Sequence, residues 1–147
     1  MRTILFLLAL LPLLLLFAKN AFPEEIEYRQ VVFPSGVSIK AEVADTPGKR
    51  ERGLMFREKL SMMSGMLFIF SVAAPYRFWM KNVKIPLDII WLDSNRQIVY
   101  IMEDLQPCSV DPCADFGPKG MASLFVIETA SGFVRENRLA RGMRVKF

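Results

Sequence analysis

Lys81, Asn82 and Asp88 stand in a stretch that is otherwise almost wholly apolar, FWMKNVKIPLDIIWL over residues 78–92. Asp88 lies between Leu87 and Ile89, in a segment with apolar residues on both strand faces. Burying a carboxylate alone is costly, so it must find a cation, amide donors or water. Two chemistries compete for it. In one, Asp88 pairs with Arg50 or Arg57 of a helix over 47–57 and pins that helix to a sheet. In the other, Arg50, Arg57, Lys81 and Asn82 receive an anionic or carbohydrate ligand beside Trp79, an outward-facing tryptophan on the strand face of Lys81. A third use, as one carboxylate of a glycoside hydrolase, needs a second carboxyl across a cleft. Glu103, Asp104 and Glu128 are the candidates for it. Trp91 shares its face with Leu87 and Ile89 and belongs to the core, and the nine methionines read as core filler.

The chain has no histidine. That excludes Ser-His-Asp and Cys-His nucleophilic sites and every zinc site that uses imidazole. No catalytic residue, metal site or cofactor is assigned. The formal charge of +4 is small and spread along the chain, without the basic cluster a nucleic-acid face requires. Cys108 and Cys113 are the only cysteines, with four residues between them. In an exported protein such a pair forms a disulfide, here pinning a loop over 107–118. The spacing differs from the Cys-x-x-Cys of redox sites.

The elements that must position these residues follow a leader. Residues 1–21 read as a signal peptide, with Arg2 ahead of an apolar run over 4–17 that is too short for a relaxed membrane span. Retention of that run as an uncleaved anchor is the alternative, and the only membrane contact expected. No cysteine follows it to carry a lipid. Residues 22–147 form one domain. Strands are expected at 28–33 and 37–43, joined through Pro34-Ser35-Gly36. Thr46-Pro47 opens the helix over 47–57, with Gly53 inside it where a strand approaches closely. Strands at 66–70, 78–81, 87–92, 97–105, 122–129 and 143–147 complete the pattern, and a short helix covers 133–139. The segment 78–105 is read as a three-strand meander. Six to eight strands with one packed helix and one short helix make a mainly β (α+β) fold, a small barrel or sandwich.

TPGKRERGLMFR, GMLFIF, FWMKNVKIPLDIIWL, PC–DPC and FVIETASG occur in this order after the leader. Together they closely resemble the conserved family named domain of unknown function 192 (DUF192). The resemblance implies a small, mostly β domain, often exported, and places Arg50, Gly53, Arg57, Trp79, Lys81, Asn82 and Asp88 in the family pattern. Val83 stands where the family usually has threonine. The family carries no settled activity. The expectation is therefore an exported, periplasmic or extracellular, non-enzymatic binding or accessory module of the cell envelope, meeting a glycan or an anionic ligand. The alternatives are a carboxylate-dependent hydrolase of envelope glycans using Asp88, or a structural assembly partner.

Overall fold

The computed structural model describes residues 25–147; the leader expected at 1–21 lies outside them. Eight strands and two short helices run in the order β1 (Tyr28–Val32), β2 (Ser38–Ala44), α1 (Pro47–Arg52), β3 (Ser64–Ala74), β4 (Phe78–Trp79), β5 (Leu87–Leu92), β6 (Ile98–Leu105), β7 (Asp115–Phe116), β8 (Ser123–Ala130) and α2 (Phe133–Glu136). Six strands make one sheet in the order β1-β2-β3-β8-β5-β6, and β4 pairs with β7 in a second, two-stranded sheet. All neighbours are antiparallel except β2 and β3. The sheets do not close into a barrel, and a sandwich-like arrangement describes the fold better. The expected last strand at 143–147 is instead a tail. It meets the two edges of the large sheet through isolated bridges, Val32 with Lys146 and Gln97 with Arg144.

The large sheet is buried on both faces. Alternation along β5 sends Leu87, Ile89 and Trp91 to one cluster, with Leu54, Phe68, Met80 and Val126. Ile90 and Leu92 go to the other, with Ile39, Leu67, Ile127, Phe133 and Val134. All six residues of β5 are buried. A strand covered on both faces has no solvent side, which is why its sequence is a nearly continuous apolar run. The first face lies under α1 and the loop beyond it, and the second under α2 and the tail.

Two further expected elements are corrected. The segment 78–105 is not a meander, because β4 leaves the large sheet and pairs with β7, Phe78 opposite Phe116 and Trp79 opposite Asp115. Beyond β4, Lys81 bridges to Cys108 rather than to β5, and Asn82 turns the chain with φ +59. The place beside β5 belongs to β8, much further along the chain, with Asp88 opposite Thr129. The helix opened by Thr46, whose side chain accepts a hydrogen bond from Lys49 N, stops at Arg52. Gly53 is its C-terminal cap with φ +45, a conformation glycine takes without penalty.

Candidate functional site

Asp88 is wholly buried, and neither arginine reaches it. Its Oδ1 accepts from Asp104 N at 2.8 Å and its Oδ2 from Val134 N at 2.9 Å. A register shift in the β5–β6 pairing between Leu87 and Ile89 turns the Asp104 amide, at φ +52, towards the carboxylate. Val134 offers an amide of the first turn of α2, a group that has no partner inside the helix. Ser131 Oγ donates to Asp104 Oδ1 at 2.6 Å and completes the cluster. Asp88 therefore ties β5, β6 and α2 together through charge-assisted bonds, with both oxygens used.

The other expected residues disperse. Arg57 grips Glu42 with two hydrogen bonds of 2.6 Å, tying the loop after α1 to β2; the bond to Glu42 holds its guanidinium above its ordinary pKa. Lys81 pairs with Asp111 at 3.1 Å on the surface, an arrangement worth little in water. Asn82 works through its backbone, its carbonyl accepting from Phe56 N at 2.8 Å. Cys108 and Cys113 are joined in a disulfide, which is consistent with an oxidising, exported location. Among the described residues no helix is long and apolar enough to cross a membrane.

Arg50 and Trp79 are the two expected residues that do come together. They line a cleft of about 360 Å³ with Glu51, Phe68, Phe70, Tyr76, Arg77, Phe78 and Asp115. Tyr76 stacks on Phe70 with ring centroids 3.5 Å apart, and Phe78 meets Phe68, Phe70 and Trp91 edge-on. The Arg50 guanidinium lies over Phe70, 5.2 Å from the ring centre, while its Nη1 donates to the carbonyls of Asp45 and Ile69. Across the cleft, Arg77 holds Asp115 through Nε and Nη2, and that bond keeps the Asp115 carboxyl below its ordinary range. Trp91 Nε1 donates to Tyr76 O at 2.9 Å, fixing the wall from behind. Gly117 allows the same approach, since a side chain there would meet Tyr76 O at 2.7 Å. Trp79 is 47% exposed.

Sequence reasoning missed Phe70, Tyr76 and Phe78 as walls of this cleft. The signal available was the aromatic density of residues 68–79, but only the β4–β7 pairing folds that stretch back on itself. Glu128 of β8 lies on the cleft side of the large sheet, buried beneath Gly53 and Phe68. Its Oε2 has no hydrogen-bond partner, and burial pushes its pKa up to about 8 against a weaker opposing field from Arg57. Asp88 and Glu128 point to opposite faces of the sheet: Asp88 bonds an amide beside Phe133, whereas Glu128 shares a lining with Leu54 and Phe68. They cannot act as a pair on one substrate.

Similar proteins agree with this architecture. A crystal structure of a candidate transcription regulator from Sinorhizobium meliloti 1021 is 30% identical, with a TM-score of 0.70 over 83% of this chain and 96% of that one. A crystal structure of a protein of unknown function from Novosphingobium aromaticivorans DSM 12444 is 28% identical, with a TM-score of 0.73 over 86% and 90%. No curated protein matches. The model of the DUF192 family, described as "Uncharacterized ACR, COG1430", matches residues 30–147. The chain belongs to the DUF192 family.

Proposed function

We propose that this protein is a non-enzymatic, exported binding module of the cell envelope that holds a carbohydrate in the Trp79 cleft. The observation that carries the reading is the half-exposed Trp79 at the mouth of a cleft walled by Phe70, Tyr76 and Phe78. Sugar rings carry an apolar face of C–H groups that packs on aromatic surface, and their hydroxyls need polar groups at the rim. Arg50, Glu51, Arg77 and Asp115 supply such a rim with two charges of each sign, which favours a ligand without net charge. The volume falls within the roughly 300–1,000 Å³ of small-molecule sites. The leader read from residues 1–21 and the Cys108–Cys113 disulfide support export. Asp88, wholly buried with an amide on each oxygen and on the sheet face away from the cleft, is out of reach of a ligand there, which supports a binding rather than a hydrolytic role.

The test is a titration of the protein with neutral tetrasaccharides (cello-, malto- and chitotetraose), followed by tryptophan fluorescence. Trp79 lines the cleft whereas Trp91 is buried behind its wall, so comparison with Trp79→Ala isolates the response of Trp79. Trp79→Ala should remove the response and at least tenfold of the affinity measured by calorimetry, while leaving the fold intact. Lack of binding by all three sugars defeats the reading, and release of new reducing ends would make the protein an enzyme instead.

A further inference from the structure

Glu128 is a group that the fold does not satisfy by itself. It occupies the middle of the large sheet, opposite Met66 on one side and Ile89 on the other, and is 4% exposed. Its Oε2 makes no hydrogen bond within the protein. A buried polar atom left in this state costs on the order of 1–3 kcal/mol, and a bound water or a ligand group is among the partners that relieve it. The same strand position filled by methionine would carry no such cost.

The space around Glu128 indicates where the partner comes from. The carboxyl lines a notch of about 30 Å³ together with Gly53, Leu54, Phe68, Phe78, Trp79 and others. That volume holds roughly one water or one hydroxyl group, for which about 10–15 Å³ suffices. Arg50, Glu51, Phe68, Phe78 and Trp79 line both this notch and the aromatic cleft, so the notch adjoins the cleft along these shared residues. Gly53 matters here for a reason separate from its backbone angle. A side chain at that position would begin 3.8 Å from Glu128 Oε2 and would cap the carboxyl from above.

We propose that Glu128 is the hydrogen-bonding floor of the cleft, receiving one hydroxyl of a neutral sugar whose ring lies against Trp79. The inference rests on the carbohydrate reading of that cleft and adds the residue that recognises the ligand. A carboxyl at the end of a one-hydroxyl notch selects by shape and by hydrogen bonding together. A hydroxyl both donates and accepts, and a protonated carboxyl does the same, so the pair leaves no polar atom over. Burial keeps Glu128 protonated at neutral pH, which removes the attraction that an ammonium ligand would require. The charged groups around it are Arg57, already bonded to Glu42, and Arg50, Glu51 and Arg52 of α1.

The experiment compares Glu128→Gln, Glu128→Leu and Trp79→Ala with the wild-type chain, using cello-, malto- and chitotetraose and an anionic control, tetragalacturonate. Glutamine keeps a donor and an acceptor and should bind within about threefold of wild type. Leucine removes both and should weaken the best neutral sugar at least tenfold. In the wild-type protein labelled with 13C at glutamate carboxyls, one buried resonance, absent from Glu128→Gln, should shift on addition of that sugar. The resonance reports on Glu128 even if Glu128→Leu fails to fold. Loss of binding in Trp79→Ala with full binding in Glu128→Leu, or no movement of the resonance, overturns the role of Glu128 and leaves the cleft standing. Binding of tetragalacturonate alone overturns the neutral ligand. No binding of any sugar by the wild-type chain overturns both the role of Glu128 and the carbohydrate reading.

Discussion

Glu128→Gln converts the buried carboxyl of β8 into a test of the energetics of this core. In the folded chain the carboxyl titrates near 8 rather than at its ordinary 4.5, because burial penalises the carboxylate more than the field of Arg57 helps it. Between these two pH values the unfolded chain has released the proton and the folded chain retains it. Stability changes with pH in proportion to the protons bound by the unfolded state minus those bound by the folded state. That difference is negative here, so this group's contribution is fully present below pH 4.5 and is lost as pH rises through 8. At about 1.4 kcal/mol per pH unit, the loss over the whole window is roughly 5 kcal/mol, a large share of the about 5–15 kcal/mol that a domain has. Glutamine has no proton to lose, and the other titrating groups are common to both proteins. Urea unfolding at pH 5, 6, 7 and 8 should therefore give a difference, variant minus wild type, that grows by about 1 kcal/mol per pH unit in favour of the variant. A difference constant to within about 1 kcal/mol from pH 5 to 8 would refute the reasoning, since it would mean that Glu128 is ionised in the fold.

Asp88→Asn should cost about 1–3 kcal/mol in urea unfolding, because an amide can accept from only one side and leaves either the part-buried Asp104 N–H or the buried Val134 N–H without its acceptor; a loss under about 0.5 kcal/mol would show that the cluster adapts. The same variant should bind sugar as well as wild type at temperatures where it stays folded, since Asp88 faces away from the cleft. Gly65→Ala should cost about 1–3 kcal/mol by overpacking, as the new methyl would lie 2.5 Å from Glu128 O and 2.9 Å from Ile39 Cδ1; a melting temperature unchanged within about 2 °C would refute the stated approach of β3 to β8.

Much of the fold is legible in the order of the residues. Period-two alternation and turn chemistry locate β1, β2, β6 and β8 to within a few residues, and Thr46-Pro47 marks the start of α1. The apolar run of β5 announces a doubly covered strand, and Trp91 is core. The site is legible only in part. Arg50 and Trp79 belong to the expected set and do share the cleft, whereas Arg57, Lys81, Asn82 and Asp88, expected beside them, are engaged elsewhere. Asp88 stands out because a carboxylate in an apolar strand needs partners. Arginine was the expected partner, yet backbone amides supply the bonds, and every residue but proline carries one, so composition gives no warning of them.

Local chemistry decided most of the strand positions, the capped start of the helix, the absence of histidine-based catalysis and the membership of a family whose motifs are contiguous in the chain. Those properties depend on residues within a few positions of one another. What stands beside what was decided only in three dimensions. The pairings of β4 with β7 and of β5 with β8 join segments distant in the chain, Trp79 with Asp115 and Asp88 with Thr129. Loop closure between such segments is settled by total burial rather than by local preference. That long-range pairing folds residues 68–79 into an aromatic cleft and leaves Glu128 unpaired beneath Gly53. It also places Glu128 and Asp88 on opposite sides of one sheet.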